Sequence, residues 1–114
     1  AMTCFTGAFH RPEPTLDEGL VKAEEGGAIA VWGPTGLGVN TGHEHLAHGF
    51  FQAVFSDTVV TVGEATFQGK LTLAASGAHQ DLLDTFGLLG DPALSINREI
   101  VPWAHEVWLP VVMR

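Results

Sequence analysis

The only thiol in the chain, Cys4, stands in the stretch AMTCFTGAFHRP at residues 1–12. A thiol becomes a nucleophile when a base, normally histidine, takes its proton and N–H donors face the oxyanion that develops on the substrate. A cysteine that ends a strand and leads into a glycine-containing loop suits this use, because α/β folds expose reactive groups at the carboxyl ends of their strands. The competing reading of the residue alone is a small hydrophobe packed in the core, the commoner state of a free cysteine. His10 is the nearest imidazole along the chain, and it reaches the sulfur only if the intervening loop folds back.

A second constellation is His43, His45 and His48, with Glu44 among them. Imidazole binds zinc, copper and nickel, and on a helix His45 and His48, or Glu44 and His48, share a face. His43 and His45 point in different directions, so the set falls short of the four convergent ligands of a closed site. A solvated, histidine-rich helical turn accounts for it, and no metal or cofactor is expected. His79 and His105 are isolated. GPTGLG at 33–38 lacks the Lys-Ser or Lys-Thr pair of a phosphate loop and any dinucleotide fingerprint. As a loop after a buried strand it can line a pocket instead, with Trp32 and Pro34 offering apolar surface.

The scaffold for these groups is a packed one. Of 114 residues, 46% are hydrophobic and 16% charged, which fits one domain or part of one. The formal charge of −8 works against nucleic acid or an anionic membrane surface as partner. The basic residues Arg11, Lys22, Lys70, Arg98 and Arg114 are scattered rather than clustered. No apolar run is long enough to span a bilayer. A single cysteine allows no internal disulfide. No signal-peptide pattern opens the sequence, so an export signal would lie upstream of residue 1.

Met2–Cys4 reads as the last piece of a strand. Residues 15–27 read as a helix with a Thr15/Glu18 capping box, an inward stripe of Leu16, Leu20 and Ala23, and an exposed side carrying Asp17, Lys22, Glu24 and Glu25. Gly26 or Gly27 would take its left-handed C-terminal position. Ala28–Trp32 is a continuous apolar run of the kind buried on both faces of a sheet. A helix follows through residues 43–55 with two apolar rows, Leu46/Phe50/Val54 and Ala47/Phe51/Phe55, and with Gly49 allowing close packing. Thr61 and Glu64 open another helix to about Ala75, with Ala65, Leu71 and Ala74 inward and Gly77 as its stop. The stretch DTFGLLGDPALSI reads as a strand, a Gly90-Asp91-Pro92 turn and a short strand. Alternating strands and helices give an α/β layered fold. Residues 98–114, ending in VWLPVVMR, read as an apolar C-terminal extension to a domain over residues 1–97.

Taken in order, MTCFTGAFHRP, TLDEGLVKAEEGGAIAVWGPTGLG, TVGEATFQGKLTL and DLLDTFGLLGDPALSI resemble the C-terminal part of the catalytic domain of the gingipain-type cysteine peptidases, peptidase family C25, over about Met2 to Ile96. The resemblance implies a caspase-like fold with a mostly parallel sheet flanked by helices. It implies Cys4 as the nucleophile, the Cys4 N–H in the oxyanion hole, and Trp32, Gly33, Pro34 and Thr35 in the pocket for the residue before the scissile bond. The implied reaction is hydrolysis of peptide or protein substrates through a thioester acyl-enzyme, with a histidine relaying the proton. A secreted or cell-surface bacterial location follows from the same resemblance, and the ending VWLPVVMR is similar to short apolar endings of exported bacterial proteins.

One departure matters. The family's histidine, in a His-Gly motif, lies on a strand earlier than the cysteine, and none of the six histidines here matches it. The expectation is therefore a fragment of a catalytic domain, inactive alone, whose partner is the missing N-terminal part. A strand at AMTC without its neighbours would expose an edge that a homo-oligomer could cover. The alternatives are a non-catalytic interaction module on the same scaffold and a small metal-binding protein using His43, His45 and His48.

Overall fold

Four helices and two short strands make up the computed structural model, which describes residues 2–56 and 59–97. Their order is α1 (Leu16–Lys22), β1 (Val31–Pro34), α2 (Asn40–Phe55), α3 (Val62–Ser76), α4 (Asp81–Thr85) and β2 (Phe86–Leu89). Local chemistry sets several of these boundaries as expected. The Thr15 hydroxyl accepts the Glu18 N–H, and the Glu18 carboxylate accepts the Thr15 N–H at 3.0 Å, closing the capping box of α1. These bonds from Thr15 hold the Glu18 carboxyl below its usual range. Thr61 caps α3 by accepting the Glu64 N–H, and Gly77, at φ 71°, ends it in the left-handed conformation that favours glycine.

The architecture is mixed α/β, but its described sheet has two antiparallel strands, not the mostly parallel sheet anticipated. The register runs from Val31 opposite Leu89 to Pro34 opposite Phe86. β1 begins later than the apolar run, since Ile29 is 74% exposed and only Val31–Pro34 is buried throughout. Met2–Cys4 is not a strand: the chain bends there, and Phe5 takes a positive φ of 59° that extended backbone cannot contain. After the Gly90-Asp91-Pro92 turn, the expected last strand reduces to one bridge between Thr61 and Ser95. The start of DTFGLLGDPALSI belongs to α4 rather than to a strand. The C-terminal extension lies outside the described residues.

The core sits between β1/β2 and the α2–α3 pair. Trp32, Leu46, Leu73, Leu82 and Phe86 form it, with Phe50, Leu83 and Leu88 packed around them. The Trp32 ring stacks on Phe50 at 5.5 Å and meets the edge of Phe86 at 5.2 Å. Each fully buried Leu or Phe in such a cluster contributes about 1.5–3 kcal/mol. α2 uses the row Leu46/Phe50/Val54, whereas Phe51 and Phe55 of the second row are exposed.

α3 turns differently from the pattern read in its sequence. Ala65, Gly69 and Leu73 face inward, while Leu71 and Ala74 are exposed. Gly69 fixes this phase, because the Trp32 indole and the Leu46 carbonyl occupy the place of a side chain there. Gly49 on α2 meets Thr72 and the Gln68 carbonyl in the same way, so the two helices approach closely through their glycines. α1 is also rotated. Leu16 and Leu20 are exposed at 59% and 38%, and Asp17 is buried at 1%. The Asp17 N–H donates to the Thr6 carbonyl at 3.1 Å, which turns that residue towards the core.

Candidate active site

The Cys4 side chain is exposed. Its sulfur accepts the Gly38 N–H at 3.4 Å and its S–H faces the Gly38 carbonyl at 3.8 Å. Gly38 is the last residue of the stretch GPTGLG and lies in the loop between β1 and α2. The chain beyond Cys4 is tied to the same region, since Phe5 N–H donates to Gly36 O and Gly7 N–H to Pro34 O, both at 3.0 Å. A phenylalanine at φ 59° is strained by about 1–3 kcal/mol. Those hydrogen bonds and the Arg11 guanidinium, 4.5 Å from the Phe5 ring centre, hold it there.

Beneath this turn lies a buried polar pair. The Asp17 carboxylate faces the Cα atoms of Gly7 and Gly33, and both its Oδ1 and the neighbouring Thr6 Oγ1 lack hydrogen-bond partners. Burying polar atoms without hydrogen-bond partners is costly, so this pair is a feature the surrounding contacts must sustain. Placing Asp17 on the exposed side of α1 missed it; the one signal in the sequence was an acidic residue at the second helical position beside a glycine-rich turn.

Of the four residues assigned to a substrate pocket, Trp32, Gly33 and Pro34 are buried in β1. Thr35 is half-buried, and both its N–H and hydroxyl donate to the Thr85 carbonyl, at 2.7 and 3.0 Å. Trp32 nonetheless lines, with Met2, Phe50 and Phe51, a cavity of about 280 Å³. The structure thus brings Trp32 next to the segment that carries Cys4, while Gly33 and Pro34 act as backbone supports for the Thr6–Gly7 turn.

The histidines separate rather than converge. His43 is 6% exposed, with its ring edge against Phe86 at 5.4 Å and its Nε2 without a hydrogen-bond partner. Burial pushes its pKa below the ordinary 6.5. Its Nε2 packs against Gly38, where a Cβ would overlap the imidazole. His45 is half-buried and His48 exposed. His10 is exposed, and His79 Nε2 pairs with the Thr41 hydroxyl at 2.7 Å. Among the described residues, no three His, Cys, Asp or Glu side chains form a group that could hold a metal ion, and no imidazole hydrogen-bonds the Cys4 sulfur. His105 lies outside the described residues. The approach of His43 to Gly38 was not anticipated, and nothing in the spacing of the histidines announces it.

Among the described residues no helix is long and apolar enough to cross a membrane. No curated protein and no solved structure gives a significant match to the chain. The family model of peptidase family C25 matches residues 1–97, a span that takes in Cys4, the Gly38 loop and the whole described core. The chain belongs to peptidase family C25.

Proposed function

We propose that this chain carries the nucleophile of a cysteine endopeptidase, with Cys4 as that nucleophile. The observation that carries the reading is the exposure of the chain's only thiol, set against a backbone N–H, within a span that matches a peptidase family. In the reaction, a base takes the Cys4 proton and the thiolate attacks the scissile carbonyl. The carbonyl π electrons move to oxygen, and the tetrahedral oxyanion accepts hydrogen bonds from N–H donors, the Cys4 N–H among them. Collapse expels the amine, which takes the proton from the base, and water then hydrolyses the thioester to the acid and free thiol.

The base is a histidine from a strand that precedes the cysteine in the caspase-like scaffold of the family. The lack of any described imidazole hydrogen-bonded to the sulfur supports this division. On this reading the 114-residue chain is a fragment of the catalytic domain and turns over no peptide by itself. The cavity beside Trp32 and Met2, with Thr35 at the end of β1, contributes to the pocket for the residue preceding the cleaved bond. A secreted or cell-surface location goes with family membership.

The test is peptide turnover. The longest native polypeptide that contains this sequence is expected to cleave a peptide library, and Cys4→Ala to abolish cleavage. Turnover by the 114-residue chain alone, lost in Cys4→Ala, would instead place the base within these residues.

A further inference from the structure

The buried imidazole of His43 has no role in the reaction as set out above, yet it lies one residue's backbone away from the thiol. Two observations are independent of each other here. The Gly38 N–H points at the Cys4 sulfur at 3.4 Å. The His43 ring fills the space that a side chain on Gly38 would need, and its Nε2, in a residue 6% exposed, has no partner.

We propose that His43 is a positioning residue for Cys4: packed on Gly38, it holds that residue's peptide N–H against the sulfur and so favours the thiolate. The proposal rests on the reading of Cys4 as nucleophile and deepens it, because it names what organises the thiol apart from the base. A thiolate accepts a hydrogen bond more strongly than a thiol, so an N–H fixed at the sulfur stabilises the reactive form. Gly38 itself lies in a loop rather than in a helix or strand and has no regular backbone ladder to hold it. The ring is fixed by Phe86 from β2 and by the α2 backbone, whose first turn includes the His43 N–H to Val39 carbonyl bond at 3.0 Å. It therefore transmits the rigidity of the core to the loop.

Glycine at position 38 is part of the same device, since any side chain there would displace the imidazole. His43 also borders a cleft of about 270 Å³ lined by Met2, Asn40, Glu44 and Ala47, in which Glu44 is the charged neighbour. Met2, two residues before the thiol, thus shares a wall with the group that organises it.

The experiment is alkylation of Cys4 by iodoacetamide in the 114-residue chain, followed by mass spectrometry at about pH 7 and at a pH high enough to ionise the thiol fully. His43→Ala and Gly38→Ala are each expected to slow alkylation at neutral pH by about fivefold or more, the size of one charge-assisted hydrogen bond partly lost. The loss should shrink at high pH, which a purely structural defect would not produce. His43→Gln, whose side-chain amide reaches the place of the imidazole Nε2, should recover most of the rate. Equal rates in wild type, His43→Ala and His43→Gln would overturn the proposal. If a variant does not fold, the wild type still decides: the Gly38 amide resonance should shift in step with ionisation of Cys4, and an amide indifferent to the thiol rejects the idea. Either failure leaves dependence of peptide turnover on Cys4 untouched, so the two readings are separable.

Discussion

The carboxylate of Asp17 occupies the space that a side chain on Gly33 would need: a Cβ there would stand 2.5 Å from Oδ2 and 2.9 Å from the Thr6 hydroxyl oxygen. The start of α1, the turn after Cys4 and strand β1 therefore meet at one point beneath the thiol. Gly33→Ala should destabilise the fold by about 1–3 kcal/mol, as overpacking of a tight interior does. Most of that cost should vanish in an Asp17→Ala background, giving a coupling above about 0.5 kcal/mol in a double-mutant cycle followed by urea unfolding. Additive effects would mean that the two residues do not share this space.

Asp17 itself offers a prediction of the opposite sign. At the start of α1 its charge gains about 0.3–1 kcal/mol from the helix dipole. Its buried Oδ1, without a hydrogen-bond partner, costs about 1–3 kcal/mol. The second effect is larger, so Asp17→Asn should raise the urea midpoint by the equivalent of about 1 kcal/mol, with the amide donating to Thr6 Oγ1. A lowered midpoint would show that the carboxylate has a partner that the amide cannot replace.

His43 makes stability depend on pH in a defined window. Its pKa in the folded chain lies below the ordinary 6.5 because burial disfavours the imidazolium. Well above 6.5 it is neutral in both states and contributes no pH dependence. As the pH falls through 6.5 the unfolded chain binds the proton first, so stability declines until the pH passes the folded value. His43→Gln should remove this slope, seen as a smaller change in unfolding midpoint between about pH 7 and pH 5.5. An unchanged slope would contradict the burial of His43.

The crossing of α2 and α3 reverses an ordinary helix rule. Glycine to alanine inside a helix normally gains about 1 kcal/mol. At Gly69 the new methyl would meet the Trp32 ring at 2.5 Å and the Leu46 carbonyl at 2.8 Å. Gly69→Ala should therefore lower the melting temperature, by the equivalent of about 1–3 kcal/mol. A rise would mean that the helices are not packed through this residue.

The sequence revealed most where a short motif closes on itself. Thr15 with Glu18, and Thr61 with Glu64, announce their helix starts because both partners lie within one turn. Gly77 announces a stop for the same reason. Helix phase was less legible, since it depends on contacts distant along the chain. Asp17 turns inward because of Thr6, and Gly69 turns inward because Trp32 needs its space. Pairing of β1 with β2 joins residues far apart in sequence and was not visible in either apolar run. In the site, family resemblance singled out Cys4, but its contact with Gly38 and the His43 ring behind that glycine arise only from the fold.

The proposed reaction is attack of the Cys4 thiolate on a peptide carbonyl. Its most direct test is to incubate the longest native polypeptide containing this sequence with a peptide library, comparing wild type with Cys4→Ala. Cleavage by the wild type is expected, and in Cys4→Ala a loss of at least about a thousandfold with an unchanged melting temperature, because no other group replaces a missing nucleophile. Cleavage that survives Cys4→Ala would contradict it.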